Sequence, residues 1–245
     1  MSELLRLDKF LADSGKGTRS EVKNFIRKGR IQINGAIVKD PATKVNPGSD
    51  NITLDGSSVS FVSNYYYMLY KPAGCVSATK DRISGTVLDI LKNEPKTENL
   101  FPIGRLDKDT EGLLIISDDG ILAHNLLSPK KHVDKTYLAV VDKAITKDHM
   151  SLMENGIDIG DDKPCLPAKI ETGQYDGAIP HEAAYLLTIH EGRYHQVKRM
   201  FEACGSTVVY LKRISMGKVV LDENLNPGEY RPLTETELDA LINTQ

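Results

Sequence analysis

The hydrophobic pattern of the chain changes around residues 61–65, and this change limits what the chain can fold into. Before it, apolar residues form short helical and hairpin patterns, whereas after it longer strand-like runs are interspersed with helix-like runs. A length of 245 residues suits one or two domains. We therefore predict a small domain over residues 1–60, a linker over 61–65 and a larger domain over 66–245.

Two short helices and a hairpin are predicted in the small domain. The first helix ends before Gly15, and the second begins at Thr18, which can form a capping box with Glu21, and ends near Gly29. The run IQINGAIV that follows alternates apolar and polar residues around an Asn-Gly pair, which favours a tight hairpin turn. A further strand is predicted over residues 50–59.

The basic residues of the chain are concentrated in this small domain. The whole chain has a net charge of -3, yet residues 1–60 hold 10 Lys and Arg against 7 Asp and Glu. On the second predicted helix Arg19, Lys23 and Arg27 recur at helical spacing and form a basic stripe. Such a stripe can be merely solvated. The order of helix, basic helix and hairpin nevertheless resembles the S4 RNA-binding domain, and the resemblance implies that these three side chains bind RNA phosphates.

The larger domain mixes strand-like and helix-like runs without strict alternation. Strand-like runs cover residues 66–70, 112–117, 136–141, 183–190 and 206–214, and helix-like runs cover 86–92, 120–127, 146–156 and 194–205. No glycine-rich phosphate loop follows a strand, which argues against a dinucleotide-binding fold. We predict an α+β fold with a mainly antiparallel mixed sheet flanked by helices.

Hydropathy argues against a membrane protein. No stretch approaches the roughly 18 apolar residues of a membrane span, and charges interrupt the N-terminal segment MSELLRLDKFLAD where a signal peptide would need an apolar core. The three cysteines are far apart, which predicts neither a disulfide framework nor a structural metal. We expect a cytoplasmic protein.

The segment GRLDKDTEGLL contains the main candidate for chemistry, Asp107. An Arg-Leu-Asp triplet alone is equally typical of a surface turn with an ion pair. Three further segments, YKPAGCVSAT (70–79), KTYLAVV (135–141) and EGRYHQVKRMF (191–201), change this interpretation. Together with GRLD they resemble, in order and approximate spacing, the motifs of the RsuA/RluB branch of pseudouridine synthases, which also carries an S4 domain at its N-terminus.

This resemblance implies an isomerase that detaches uracil from its ribose, turns it and rejoins it through carbon, with no cofactor and no metal. Asp107 matches the catalytic aspartate, as nucleophile or as base, on the ribose or on carbon 6 of the uracil. Lys198 matches the basic residue that pairs with that aspartate, and Tyr137 matches the aromatic residue that stacks on the target base. A solvated lysine and a core tyrosine are the structural alternatives.

Further RNA contacts follow from the same resemblance. Arg105 is expected to help hold the extruded nucleotide, with an ion pair to a neighbouring aspartate as the structural alternative. Lys71, Arg193 and His195 are expected to contact RNA as well, although a purely structural histidine is an equally good interpretation of His195.

The aspartates of this region are also compatible with a second chemistry. Asp107, Asp109, Asp118 and Asp119 could form a hard-metal cluster for phosphoryl transfer. The Asp-Asp-Gly sequence at 118–120 is, however, more typical of a turn that starts a helix.

The substrate is expected to be ribosomal RNA. The segment GRYHQVKRMF is closer to small-subunit enzymes of the branch, which implies uridine-516 of 16S ribosomal RNA, modified in an assembly intermediate by a monomeric enzyme. A large-subunit (23S) target and a non-catalytic S4 assembly factor are the alternatives. The joint presence of Asp107, Tyr137 and Lys198 counts against the second of these.

Overall fold

The computed structural model describes residues 4–59, 64–128 and 131–243. It divides the chain into two compact units, Met1–Asn64 and Tyr65–Gln245. Residues 61–63 of the expected linker, and residue 60 beside it, lie outside the described residues. None of the helices in the described ranges is long and apolar enough to cross a membrane.

The first unit contains two helices and six short strands in its described part. These are β1 (Leu5–Arg6), α1 (Leu7–Asp13), α2 (Arg19–Arg27), β2 (Ile31–Ile33), β3 (Ala36–Val38), β4 (Lys44–Val45), β5 (Ile52–Leu54) and β6 (Ser57–Ser58). Strand β1 pairs with β4, and the other four form an antiparallel sheet in the order β3-β2-β5-β6. Leu7, Phe10, Leu11, Val22 and Ile26 of the two helices are buried in its core.

Local sequence signals explain most of this unit. Thr18 and Glu21 form the predicted capping box of α2. The hairpin between β2 and β3 turns at Asn34 and Gly35, both with positive φ. The single strand predicted over residues 50–59 is wrong, because a turn at 55–56, where both residues have positive φ, divides it into the hairpin β5–β6.

The second unit is built around one large sheet. Its elements in the described ranges are β7 (Tyr66–Lys71), α3 (Val87–Ile90), a 3-10 turn (Thr97–Asn99), β8 (Phe101–Ile103), β9 (Glu111–Ser117), α4 (Gly120–Leu127), β10 (Lys135–Val141), α5 (Lys147–Asn155), β11 (Lys169–Thr172), β12 (Ala183–Ile189), α6 (Gln196–Ala203), β13 (Val208–Met216), β14 (Val219–Val220), β15 (Tyr230–Pro232) and α7 (Glu235–Ile242).

The sheet has the strand order β11-β12-β10-β13-β9-β7-β15, with β14 paired to β13 and β8 to β9. Among the strands of the described ranges, only β13 and β9 pair in parallel, and an isolated parallel bridge joins Val76 and Thr86. Helices α3, α5 and α6 pack on one face, and α4 and α7 pack on the other. Side chains of β9 alternate between the two faces of the sheet. Leu114 and Ile116 pack in the core on the side of α3, α5 and α6, and Leu113 and Ile115 pack in the core on the side of α4 and α7. The predicted α+β fold with a mainly antiparallel mixed sheet is confirmed.

Candidate active site

The candidate site lies on the loop that connects β8 to β9. Gly104, with a φ of +82°, turns the chain out of β8, and the backbone N–H of Thr110 donates to the carbonyl of Asp107 to close a turn before β9 begins. The side chain of Asp107 is 28% exposed. Gly112, just beyond the loop, allows β13 to approach closely, because a Cβ there would lie 2.2 Å from the carbonyl oxygen of Arg213.

Two buried polar side chains form hydrogen bonds with the backbone of this loop. Lys71 is fully buried, and its Nζ donates to the carbonyls of Pro72 (2.9 Å), Lys108 (3.3 Å) and Thr110 (2.8 Å). Burial lowers the pKa of Lys71. Its three N–H donors are therefore used inside the protein, which corrects the expectation of an RNA contact: Lys71 supports the backbone of the loop that contains Asp107.

A buried serine makes the second support. The hydroxyl of Ser77 donates to the carbonyl of Leu106 and accepts from the backbone N–H of the same residue, at 2.9 and 3.0 Å. Since Leu106 directly precedes Asp107, this pair of hydrogen bonds fixes the backbone on which the aspartate sits. The segment YKPAGCVSAT thus acts on the loop through Lys71 and Ser77.

Helix α6 supplies two partners to Asp107. Nε2 of His195, the N-cap residue, lies 3.5 Å from Oδ1 of Asp107, and Nζ of Lys198 lies 3.5 Å from Oδ2. A cation in the first turn of a helix is disfavoured by the helix dipole, so Lys198 needs carboxylates nearby. The structure therefore brings together three of the predicted site residues, Asp107, His195 and Lys198.

Asp109 completes this group, although the sequence interpretation gave it no catalytic part. Its two carboxylate oxygens accept from Nζ of Lys198 at 2.6 and 2.8 Å, so the ammonium lies closer to Asp109 than to Asp107. Burial raises the pKa of Asp109, but the hydrogen bond and charge of Lys198 outweigh it and hold the pKa below its usual value. The Asp-Lys-Asp sequence at 107–109 was the feature of the sequence from which this second carboxylate could have been predicted.

Arg105 differs from the other cations of the site. Its side chain is exposed, and within the described part of the chain it forms no hydrogen bond or ion pair. The alternative of an ion pair to Asp107 or Asp109 is therefore not what the structure shows. The guanidinium is therefore accessible from solvent.

Arg193 is engaged inside the protein. Its guanidinium donates to Glu191 (3.0 Å) and to the carbonyls of Lys163 (2.6 Å) and Pro164 (2.7 Å), and it lies 3.4 Å from Asp161. These contacts fasten the loop before β11 to the start of α6. That Arg193 contacts RNA stays a prediction.

Tyr137 lies on β10, between Leu187 of β12 and Arg213 of β13. It is 8% exposed and belongs to the core cluster that also contains Leu106 and Val197, the residues before Asp107 and Lys198. Tyr137 is therefore part of the core, on the face of the sheet where the site lies, and its stacking on a base stays a prediction.

The exposed aromatic residue of this region is Tyr194, which the sequence interpretation missed. Its ring stacks on that of His195 with a centroid distance of 3.9 Å and an interplanar angle of 15°. The side chain is among the exposed large hydrophobics, at 76% exposure. Its presence within the motif EGRYHQVKRMF was the signal that could have identified it.

In the first unit the basic stripe of α2 lies at the surface. Arg19 and Arg27 are exposed and, among residues 4–59, form no ion pair, while Nζ of Lys23 lies 3.9 Å from a carboxylate oxygen of Asp8. A shallow cavity of about 220 Å³ is lined by Arg6, Asp8, Lys9, Arg19 and Lys23. The structure therefore presents accessible cations on this helix.

The four aspartates of the alternative metal cluster do not meet. Asp118 accepts from the backbone N–H of Tyr65, and Asp119 caps α4 by accepting from Ile121 and Leu122. Both follow β9, whereas Asp107 and Asp109 precede it, and the seven residues of this strand separate the pairs by roughly 20 Å. The turn and helix start predicted at 118–120 explain them.

Comparisons with known proteins give one consistent result. Residues 65–203 match the family model described as RNA pseudouridylate synthase, and residues 5–51 match the S4 domain. An uncharacterized RNA pseudouridine synthase of Bacillus subtilis is 47% identical, covering 98% of this chain and 100% of its own. The ribosomal small subunit pseudouridine synthase A of Haemophilus influenzae is 40% identical, covering 97% and 100%. A crystal structure of a pseudouridylate synthase, 40% identical and covering 97% of this chain and 99% of its own, superposes with a TM-score of 0.66.

Proposed function

This chain belongs to the RNA pseudouridylate synthase family, and from that premise we propose that it converts one uridine of small-subunit ribosomal RNA to pseudouridine. The observation that carries the proposal is the half-buried carboxylate of Asp107, which lies 3.5 Å from both His195 and Lys198 on a loop fixed from beneath. The names of relatives about 40% identical over nearly the whole chain support the small-subunit target.

The reaction needs a carboxylate and little else from the protein. The bond between N1 of uracil and C1′ of ribose breaks, the base turns, and C5 bonds to C1′, while C5 loses a proton and N1 gains one. No oxidant and no further atom enter. Asp107 provides the carboxylate, as nucleophile or as base. The ammonium of Lys198, 3.5 Å from Oδ2 of Asp107, places a positive charge beside this carboxylate.

The target base has to leave its stack before it can reach Asp107, at a cost of a few kcal/mol. Arg105 is suited to offset part of this cost, because it is an exposed cation of the loop and has no hydrogen-bond or ion-pair partner among the described residues. Tyr137 offers its ring to the extruded uracil from the face of the sheet that contains the site.

In this proposal one domain binds RNA and the other carries out the reaction. Residues 1–60 grip RNA phosphates through Arg19, Lys23 and Arg27 of α2, and residues 66–245 carry the chemistry. The substrate is uridine-516 of 16S ribosomal RNA in a small-subunit assembly intermediate, and the enzyme acts on it as a monomer in the cytoplasm.

Release of tritium from RNA labelled at C5 of uridine tests the activity. The wild type should release label, and Asp107→Asn should release none above background, since an amide at this position is a poor base and a poor nucleophile. Arg27→Ala serves as the binding control and should release label once RNA is saturating. Equal release by wild type and Asp107→Asn would remove the catalytic assignment.

Mapping of pseudouridines in ribosomal RNA from a strain that lacks this protein tests the target. We expect one site of small-subunit RNA to return to uridine and to be restored by the wild-type chain. If only a large-subunit site returned to uridine, the proposed target would be wrong, but the pseudouridine synthase activity would stand. Loss of none, together with no tritium release, would favour the non-catalytic assembly factor.

A further inference from the structure

Beside Asp107 the rings of His195 and Tyr194 stack on each other, and the outer ring is exposed to solvent. Oδ1 of Asp107 lies 3.5 Å from Nε2 of His195, and the imidazole in turn stacks on the ring of Tyr194 at 3.9 Å and 15°. One face of the phenol ring is thus covered by the histidine. With 76% of Tyr194 exposed, the other face is open.

The backbone that carries this stack is held in place from several sides. His195 has a φ of +49°, in the left-handed region that a non-glycine residue seldom adopts. The backbone N–H of Arg193 donates to Oε1 of Gln196 at 3.0 Å, and the backbone carbonyl of Tyr194 accepts from Arg199 at 3.2 Å. The phenol ring is therefore presented on a fixed support, which lowers the entropic cost of binding a partner to it.

A large aromatic ring exposed to water beside a catalytic carboxylate has a chemical match in the substrate. When a uridine is extruded from RNA, its neighbours lose a stacking partner. An aromatic side chain can replace that partner, because every base has a π face. The proposed function gives the target base to Tyr137, which is 8% exposed, and gives no partner to the exposed ring of Tyr194.

We infer that Tyr194 forms a second nucleobase subsite, on which a base directly adjacent to the target uridine stacks while the uridine occupies the pocket of Asp107. The inference rests on the proposed function. It assigns to this ring the positioning of the RNA strand and to His195 the support beneath the ring.

The test uses a synthetic RNA stem-loop that contains the mapped uridine, together with versions that carry an abasic nucleotide on its 5′ or its 3′ side. Wild type, Tyr194→Leu and Tyr194→Phe are compared by the dissociation constant of the RNA and by single-turnover tritium release. Leu152→Ala, which alters an exposed apolar side chain on α5, is the control for surface truncation.

We expect Tyr194→Leu to weaken binding by roughly 10-fold and Tyr194→Phe to bind like the wild type, because stacking needs the ring and not the hydroxyl. One of the two abasic RNAs should weaken binding to the wild type by a similar factor. Tyr194→Leu should bind this abasic RNA as tightly as it binds the intact RNA. The abasic site and the substitution remove the same stacking contact, so the second change costs nothing further.

If the abasic site and Tyr194→Leu each weaken binding, and the factors multiply when the two are combined, the base does not stack on Tyr194 and the proposed subsite is wrong. Unchanged binding with a slower reaction at saturating RNA would also overturn the subsite, because it would show that Tyr194 only orients His195. Absence of tritium release by the wild type would instead remove the proposed function itself.

Discussion

Two short basic segments of this protein use their cations in opposite ways. On α2 of the first unit, Arg19 and Arg27 have no ion-pair partner among residues 4–59. At α6 of the second unit, Lys198 is held by Asp109, and Arg199 donates to Asp161 at 2.6 Å. Similar basic residues are accessible on one helix and paired with carboxylates on the other.

In the proposed function, this difference corresponds to two separate roles. An unpaired surface cation adds affinity for a phosphate backbone, and that affinity weakens as salt rises. A cation bound to a carboxylate adds little affinity but fixes the position of the helix or loop that carries it. Changes on α2 should therefore affect binding of RNA, and changes at α6 should affect turnover.

The largest effect that follows from this comparison concerns Lys198. Lys198→Met removes the counter-charge of Asp107 and leaves Asp109 without its partner, so single-turnover pseudouridine formation should fall by roughly 100-fold. The dissociation constant of the RNA should change little. Lys198→Arg keeps a cation and should retain part of the rate. A Met variant that reacts normally but binds RNA weakly would reverse the roles of the two helices.

A smaller effect is expected on α2. Replacing Arg19, Lys23 and Arg27 together by Ala should weaken RNA binding by about 10-fold, and the slope of log affinity against log salt should fall by about 0.7–0.9 per lost phosphate contact. The rate at saturating RNA should stay unchanged. Replacing three exposed lysines of the second unit, Lys143, Lys147 and Lys218, gives the same change in net charge. Equal losses in both triple variants would show that total charge, and not the stripe, governs binding.

The smallest effect concerns a paired cation outside the site. Arg231 donates to both carboxylate oxygens of Glu237 at 2.8 Å and to Asp222 at 2.6 Å. The hydrogen bond from Arg231 lowers the pKa of Glu237 from its ordinary value of 4.5 to about 2. Glu237→Gln should reduce the free energy of unfolding at neutral pH by about 1 kcal/mol without changing RNA binding or turnover.

The pH dependence of that pair has a defined sign. Because the pKa of Glu237 is lower in the folded protein, its stabilisation is complete above pH 4.5 and is lost as the pH falls towards 2. Urea unfolding of wild type and Glu237→Gln at a series of pH values measures this. The two should differ at neutral pH and converge in acid, and a constant difference down to pH 2 would contradict the assignment.

Patterns close together in the sequence predicted the local structure well. The capping box of Thr18 and Glu21 and the turn at Asn34 are formed by neighbouring residues, so spacing suffices to identify them. Strand order was not predictable in this way. The parallel pairing of Gly112 with Arg213 joins residues about one hundred positions apart and depends on the absence of a side chain at Gly112.

The site shows the same limit. The family motifs named Asp107 and Lys198, and the structure places them together. Motif membership does not reveal burial, however. Lys71 was expected to contact RNA, although its ammonium is buried and donates to backbone carbonyls. Nor does motif membership show exposure, which is the property that distinguishes Tyr194.

Binding and turnover measured on one RNA, for Asp107→Asn and for the triple variant of α2, test the division of function most directly. We expect Asp107→Asn to bind within about 2-fold of the wild type and to form no pseudouridine, because it changes the reacting group and no phosphate contact. The triple variant should bind weakly and react at the wild-type rate once RNA is saturating. Pseudouridine formation by Asp107→Asn, or a slow reaction of the saturated triple variant, would contradict the account.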